Sequence, residues 1–340
     1  MIRYKINKIS EIDTDQLSDF YKKTYYQRYK NLTSNWRWWY RVGYTEFEPL
    51  ILSIDQQIIG QAGLLPVDLK IKKKIIKAIW FIDFVILPEF RSKGFGQILT
   101  KEWMKICPNQ ITLCNNQSLK VFQKFGWKNN LATKRLIRPI NPLKFFPIIK
   151  KYNFNFTNKI LRYFIKRKFN RNTSISPYKI GNNFKVIVES FKIKKFIKNI
   201  EVAEIIRDEK WLIWRLIECP YSNDIHFFEY NNNFAIVHIF SSNNIKRLNI
   251  LYTYYTDEEQ EDELLVLILN WAIKNNFDMV WSVSESKKFK NIFPKSLSKK
   301  LNFTTWSSDK GIFETLRKGL FDVQGIDSDI DSSLYTEPTT

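Results

Sequence analysis

The apolar run Ile79-Trp80-Phe81-Ile82-Asp83-Phe84-Val85-Ile86 is closed by Pro88. Its β-branched and aromatic composition predicts a strand buried on both faces. A glycine-containing turn follows, and Ile98, Leu99, Trp103 and Ile106 then recur at helical spacing as far as Pro108. Upstream, alternation over Ile2–Ile9 predicts a strand, and a polar-aromatic helix follows from Thr14 to Tyr29. A short aromatic helix capped by Ser34 carries Trp36, Trp38 and Trp39, which either line a cleft or wedge between packed layers. Leu50–Asp55 and Ile58–Lys70 read as a hairpin turning at Gln56-Gln57, with Lys72–Lys74 at the next tip. Downstream come a strand at Gln110–Cys114, a helix at Gln117–Phe125 with Gly126 as its left-handed cap, and closing strands over Trp127–Arg138.

Beyond a proline-punctuated exit the order starts again. A strand is predicted at Phe184–Lys192, and Trp211–Arg215 resembles the earlier tryptophan segment. Strands follow near Ile225–Tyr230, Phe234–Phe240 and Arg247–Tyr255, then a long helix Asp257–Lys274, a strand Met279–Val283 and a helix Phe289–Leu301. Asn302-Phe303 stands where the first half has Gly126-Trp127. The pattern predicts an internal duplication. It divides into a first domain at 1–138, a basic aromatic connector at 139–183, a second domain at 184–320 and a flexible acidic tail at 321–340.

Charge sharpens this division. The 340 residues carry a formal net charge of +20. Residues 129–200 hold eighteen basic residues against the single acid Glu189, a surplus of 17. Within them, residues 158–169 alternate Ile160, Leu161, Phe164 and Ile165 with Lys159, Arg162, Lys166, Arg167 and Lys168. That is a basic amphipathic helix, suited to an anionic membrane surface or to packing its apolar side on a domain. Lysine is abundant along the whole chain, so its number alone is a weaker argument for nucleic acid. Three scattered cysteines and two histidines supply neither a zinc cluster nor a disulfide framework, so no metal is expected. No run of ~18 apolar residues and no signal core is present, which points to a cytoplasmic protein.

The candidate chemistry lies in Pro88-Glu89-Phe90-Arg91-Ser92-Lys93-Gly94-Phe95-Gly96. Two glycines at a strand-to-helix turn let backbone wrap an anion, the first helix amides point at it, and Arg91 and Lys93 add positive charge. The segment is a pyrophosphate cradle. It lacks the Gly-Lys-Ser/Thr ending of a nucleotide-triphosphate loop and the Gly-x-Gly-x-x-Gly of a dinucleotide fold. The second half has no such glycines, and Asp257, Glu258, Glu259, Glu261, Asp262 and Glu263 crowd its equivalent helix start, where they would repel phosphate.

Arg-x-x-Gly-x-Gly after Pro-Glu-Phe, followed by Asn115, Ser118, Phe122, Gly126 and Trp127 at matching intervals, resembles the coenzyme A loop and next segment of the GNAT acetyltransferase superfamily. The resemblance implies an α/β fold with mixed sheets, two GNAT-like domains in tandem, the second degenerate. It implies acetyl-CoA as co-substrate and transfer of its acetyl group to a small-molecule primary amine. Carried over to this sequence, Val85 and Ile86 would meet the pantetheine arm, the Arg91, Ser92, Lys93, Gly94, Phe95 and Gly96 loop would hold the pyrophosphate, and Asn115 and Phe122 would lie beside the coenzyme. Phe122 replaces the tyrosine that many members use as a proton donor. Tandem members of bacterial surface-sugar synthesis, which acetylate amino sugars, show the nearest likeness. Fem-type aminoacyl-tRNA-dependent transferases and a non-catalytic acyl-CoA-binding module are the alternatives. Asp83 is the sole ionisable residue between Ile79 and Leu87, and alternation puts it on the side of Phe81 and Val85. It is a catalytic base or one end of a buried ion pair with Arg37 or Arg41.

Overall fold

A computed structural model of the chain describes residues 3–26, 28–44, 47–72, 74–130, 133–141, 144, 155–169, 173–180, 184–189, 203–242, 245–255, 258–285, 292–293, 297–318 and 321–327. The first half runs β1 (Lys5–Lys8), α1 (Thr14–Thr24), α2 (Tyr29–Trp39), β2 (Leu50–Ile54), β3 (Gln57–Ile71), β4 (Lys74–Ile86), α3 (Phe95–Ile106), β5 (Asn109–Cys114), α4 (Asn116–Lys124), β6 (Lys128–Asn130) and β7 (Thr133–Pro139). The second runs α5 (Asn155–Phe169), β8 (Tyr178–Lys179), β9 (Ala203–Ile205), α6 (Glu209–Leu212) continued by a π-turn at Ile213–Ile217, β10 (Ile225–Tyr230), β11 (Asn233–Ser242), β12 (Ile245–Tyr254), α7 (Glu258–Lys274), β13 (Met279–Glu285), β14 (Lys299–Lys300), β15 (Asn302–Ser307), α8 (Lys310–Lys318) and β16 (Phe321–Asp322).

Local chemistry sets these boundaries. Asp13 caps α1 by accepting from the Asp15 amide, and the β2–β3 turn sits on Asp55-Gln56, both at positive φ, one residue before the expected pair. The β10–β11 turn uses Asn231-Asn232 in the same left-handed region, which asparagine tolerates. Gly126 ends α4 at φ +83°, as its position in the pattern predicts. α2 begins at Tyr29, so Ser34 is interior and caps nothing. Residues 184–189 are helical where a strand was expected. Lys299–Lys300 pair with β7 instead of continuing the expected helix 289–301, much of which lies outside the described residues.

Among the described residues the strands form two mixed sheets flanked by helices, matching two GNAT-like domains in tandem. One sheet runs β1-β2-β3-β4-β5-β15-β6, with β9 on β3 and β16 on β9; the other runs β14-β7-β13-β12-β11-β10-β8. Each has one parallel pair at its centre, β4–β5 and β12–β13. The halves exchange strands: β7 leaves the first half to pair β13, β15 returns to lie between β5 and β6, and β9 and β16 of the second half extend the first sheet beyond β3. The cut at residue 138 therefore divides the sequence but not the sheets. Residues 321–327, expected as flexible tail, are buried and carry β16; residues 328–340 lie outside the described residues. Phe321, Val323 and Ile326 enter the hydrophobic core, and the acids between them, Asp322 and Asp327, pair with the buried Arg207. Among the described residues no helix is long and apolar enough to cross a membrane.

Candidate active site

β4 and β5 pair only through Ile79–Phe81 and Gln110–Thr112. Beyond that point both continue, to Ile86 and Cys114, without pairing among the described residues, so a wedge opens in the sheet. On its other edge β4 carries a bulge, since Gly63 faces Ile82 while Gln61 faces Val85, leaving Asp83 and Phe84 both opposite Ala62. Asp83 takes φ +48°, a left-handed conformation rare for a non-glycine residue.

The bulge decides which way the side chains face. Phe81 stacks on Trp103 of α3 with ring centroids 3.5 Å apart. Phe84 joins it on that face, 5.4 Å from Phe81 and 5.6 Å from Phe122. Asp83 turns to the opposite face, toward α2, so simple alternation placed it wrongly. There Arg28 Nη1 donates to its Oδ1 at 3.2 Å, Trp39 Nε1 to its Oδ2 at 3.0 Å and the Tyr40 hydroxyl to Oδ2 at 3.1 Å. The side chains of Asp83 and Arg28 are 3% and 6% exposed. The partner is thus Arg28, not Arg37 or Arg41. The network extends inward: the Tyr21 hydroxyl donates to Gln61 Oε1 at 2.9 Å and Gln61 Nε2 to the Tyr40 oxygen at 2.6 Å. Burial and the neighbouring Asp83 carboxylate push the Tyr40 phenol well above its ordinary range, so it stays a donor. Gln61 was the legible sign, a lone amide within an apolar strand; Arg28, 55 residues from Asp83, left none.

At the wedge mouth the chain leaves β4 through a 3₁₀ turn at Pro88–Phe90. Ser92 and Gly94 lie at φ +61° and +86°, so the loop forms a concave backbone surface leading into α3. Arg91 is tethered by its Nε to the Ile86 carbonyl at 2.9 Å. Gln97 and Ile98 both donate back to the Gly94 carbonyl, and helix geometry leaves the Phe95 and Gly96 amides without an intrahelical acceptor. Gly94 needs its conformation. Gly96 does not: a Cβ there would stand 3.5 Å from Phe84 Cζ and 3.9 Å from Ile86 Cγ1, ordinary contact distances. Nothing in the protein's own packing forbids a Cβ at Gly96, although glycine in a helix costs up to about 1 kcal/mol relative to alanine.

The structure gathers Val85, Ile86 and Arg91 to Gly96 on one lip of the wedge. Asn115 stands on the other, capping α4 by accepting from the Ser118 amide at 2.9 Å. Phe122 is fully buried among Phe81, Phe84, Trp103 and Trp127, beneath the wedge rather than beside it. On the α2 face a cavity of about 20 Å³, room for one water, is walled by Trp38, Trp39 and Ile82 from the first half and by Trp214, Tyr221 and Asp327 from the second. Trp38 and Trp214 stack at 5.7 Å and exchange indole hydrogen bonds, each Nε1 donating to the other's carbonyl at 2.9 and 2.8 Å. A second half that either closes the cleft or merely supports the first is what its degenerate sequence implies; which of its residues do so, Tyr221 and Asp327 among them, no sequence pattern marks. Among the described residues no three His, Cys, Asp or Glu side chains gather into a metal-binding group.

A sequence model of the acetyltransferase (GNAT) family matches residues 6–127. Those residues are a GNAT domain. The match spans β1 to the end of α4 and includes the wedge and glycine loop. Among the solved structures that share the fold over most of the chain are three. A GCN5-related N-acetyltransferase from Kribbella flavida is 9% identical, with TM-score 0.60, covering 89% of this chain and 71% of its own. A probable N-acyltransferase from Enterococcus faecalis is 10% identical, with TM-score 0.56, covering 90% and 72%. Saccharomyces cerevisiae N-myristoyltransferase with bound myristoyl-CoA is 14% identical, with TM-score 0.56, covering 89% and 82%. A search of curated proteins finds no match in sequence. Residues 6–127 thus form an acyltransferase domain, of a family whose fold takes acyl-CoA.

Proposed function

We propose that the first half holds acetyl-CoA and that the chain transfers its acetyl group to a primary amine of a small molecule, with amino sugars as the first acceptor class to test. Gly96 carries this reading. A glycine that the protein's own packing does not require, placed at a helix start beside a parted pair of strands, keeps clear the volume that a pyrophosphate and its arm would fill. The residues present fit the group. The left-handed Ser92 and Gly94 and the first amides of α3 would take the pyrophosphate, with charge from Arg91 and Lys93. Val85 and Ile86 offer the open edge of β4 to the arm, and Asn115 the opposite lip.

Acetyl-CoA supplies an activated carbonyl and a thiolate leaving group. Phe122 has no proton to give, and a thiolate, with a pKa far below that of an amine leaving group, needs no side-chain acid. Asp83 accepts four hydrogen bonds, two of them from Arg28, which leaves little of the carboxylate for an incoming amine. We assign it a positioning role: it fixes the bulge that turns β4 away from β5. Titration calorimetry with coenzyme A tests the cradle. Parent protein is expected to bind and Gly96→Glu to lose binding, because a carboxylate would occupy the phosphate volume; equal affinities would refute the assignment. Turnover of acetyl-CoA with a panel of amines, amino sugars included, tests the reaction, and binding without turnover of any amine would mark a non-catalytic acyl-CoA module.

A further inference from the structure

The second sheet parts as the first does. β12 and β13 pair in parallel through Arg247–Ile250 and Met279–Ser282 and then run on separately to Tyr254 and Glu285. β12 also carries a bulge beside the parting point, where the register against β11 shifts at Leu251. In the first half the equivalent gap leads to the glycine loop. In the second half it is filled by the chain itself. Every residue from Phe321 to Asp327 is buried. Gly325 lies in the gap, where a Cβ would stand 3.1 Å from the Ile250 carbonyl oxygen and 3.2 Å from Leu251 Cα, tighter than nine in ten real Cβ contacts and against backbone that would have to shift. Gln324 Oε1 accepts from the Thr253 amide at 3.0 Å, so a side-chain amide satisfies the strand edge that the parting would otherwise expose.

Buried charge clamps this segment. Arg207 Nε donates to Asp327 Oδ1 at 2.7 Å, and Arg215 Nε to the Ile326 carbonyl at 3.0 Å. At the start of α7, Glu261 is buried and accepts from Thr253 Oγ1 at 2.8 Å, adding negative charge where a phosphate would have to sit. The far end of the segment, Asp327, walls the small cavity against Trp38 and Trp39 of the first half.

We propose that Phe321–Asp327 is a built-in strap that takes, in the second half, the place the first half keeps for the coenzyme arm, so that the chain carries one acyl donor, and that its Asp327 end closes the cavity between the halves. The proposal rests on the reading of the first half as the coenzyme site. What the strap presents to β12 is an amide carbonyl and a closely approaching backbone, the same groups an amide-bearing arm would present; the corresponding stretch of β4 is Phe84–Val85.

The test uses the full chain, coenzyme A and hydrogen exchange. Parent protein is expected to bind one coenzyme per chain and to hold the Thr253 and 324–327 amides protected with or without it. Gly325→Val should dislodge the strap, raising exchange at Thr253 by at least about tenfold and increasing acrylamide quenching of the tryptophans, while coenzyme stoichiometry and affinity stay at the parent values. Gln324→Leu removes the acceptor of the Thr253 amide without a clash and should also speed its exchange. Two coenzymes per parent chain, or a Thr253 amide that exchanges as freely as an open strand edge, would overturn the strap alone. A parent that binds no coenzyme would overturn the first-half reading and the comparison built on it.

Discussion

Replacing Asp83 separates the two roles a buried carboxylate at the β4 bulge can play. Its side chain is 3% exposed and its partner Arg28 6%, and Trp39 and Tyr40 also spend their donors on it. Asp83→Ala leaves a buried guanidinium, an indole and a phenol without their acceptor, and breaking a buried pair in this way costs about 3–5 kcal/mol. At roughly 2–4 °C per kcal/mol for domains of this size, the melting temperature should fall by about 6–20 °C. Asp83→Asn is the sharper variant. Asparagine tolerates φ +48° as aspartate does, so the backbone is not newly strained, and one oxygen can still accept from Trp39 or Tyr40. What it cannot do is neutralise Arg28, so a loss near the lower end of that range is expected. Removing both charges together, Arg28→Met with Asp83→Asn, should recover much of the loss, because the asparagine keeps an acceptor for Trp39 and Tyr40 and tolerates the left-handed backbone. Thermal unfolding and steady-state turnover are measured on the same preparations. If Asp83→Asn melts with the parent yet loses roughly 10²–10⁴-fold in kcat/KM, the carboxylate is moving the proton and the positioning assignment is refuted.

Two further outcomes follow from surfaces and thiols. α5 leaves Tyr163 and Phe164 60% and 59% exposed beside Lys166, Arg167 and Lys168, while Phe169 is buried against Arg138. If this face docks on anionic lipid, reversing the three charges should weaken liposome binding by ~1 kcal/mol per charge at low salt, and equal flotation of variant and parent would leave α5 a packing helix. Burial pushes the Cys114 thiol up to about 12, against a weaker opposing hydrogen bond with Thr304. It should therefore resist alkylation in the folded protein at mildly alkaline pH and react once denaturant unfolds the chain. Above an unfolded thiol pKa of ≈ 8.5 the unfolded state releases a proton that the folded state keeps, so this group makes stability fall as pH rises further; fast labelling of the native protein would contradict the burial.

What the sequence made legible was local. The strand ending at Pro88, the loop to Gly96, the helix to Ile106 and the Gly126 cap each announce themselves through residues within a turn or two of one another. The bulge did not, because one extra residue in an apolar run leaves the composition unchanged and reverses which face each later residue takes. Asp83 stood out as the charged residue in that run, but Arg28 comes from a loop that no pattern ties to it. The acidic residues after Phe321 suit a solvated tail by composition. They are buried with Phe321, Val323 and Ile326, which join the core, and they pair with Arg207, more than a hundred residues earlier. Lys299–Lys300 reads as helix end by spacing and becomes strand because β7 offers it an edge.

Strand exchange was the least legible feature and matters most for the site. Residues 127–138 read as closing strands and Asn302-Phe303 as the counterpart of Gly126-Trp127, and neither reading says which sheet takes the strand. β7 and β15 are hydrogen-bonded across seven and six residue pairs in the other half's sheet. The stacked Trp38 and Trp214, each donating to the other's backbone, join the halves again at the cavity. Swinging the halves apart as rigid bodies would break both ladders and the tryptophan pair together, so a hinge between them is an expensive way to admit an acceptor. A route that spares the ladders is local: Tyr221 and the π-turn that carries Trp214 bound the cavity without belonging to either sheet. The second half, which lacks the glycine cradle, thereby contributes Trp214 and Tyr221 to the wall of the cavity on the α2 face of β4.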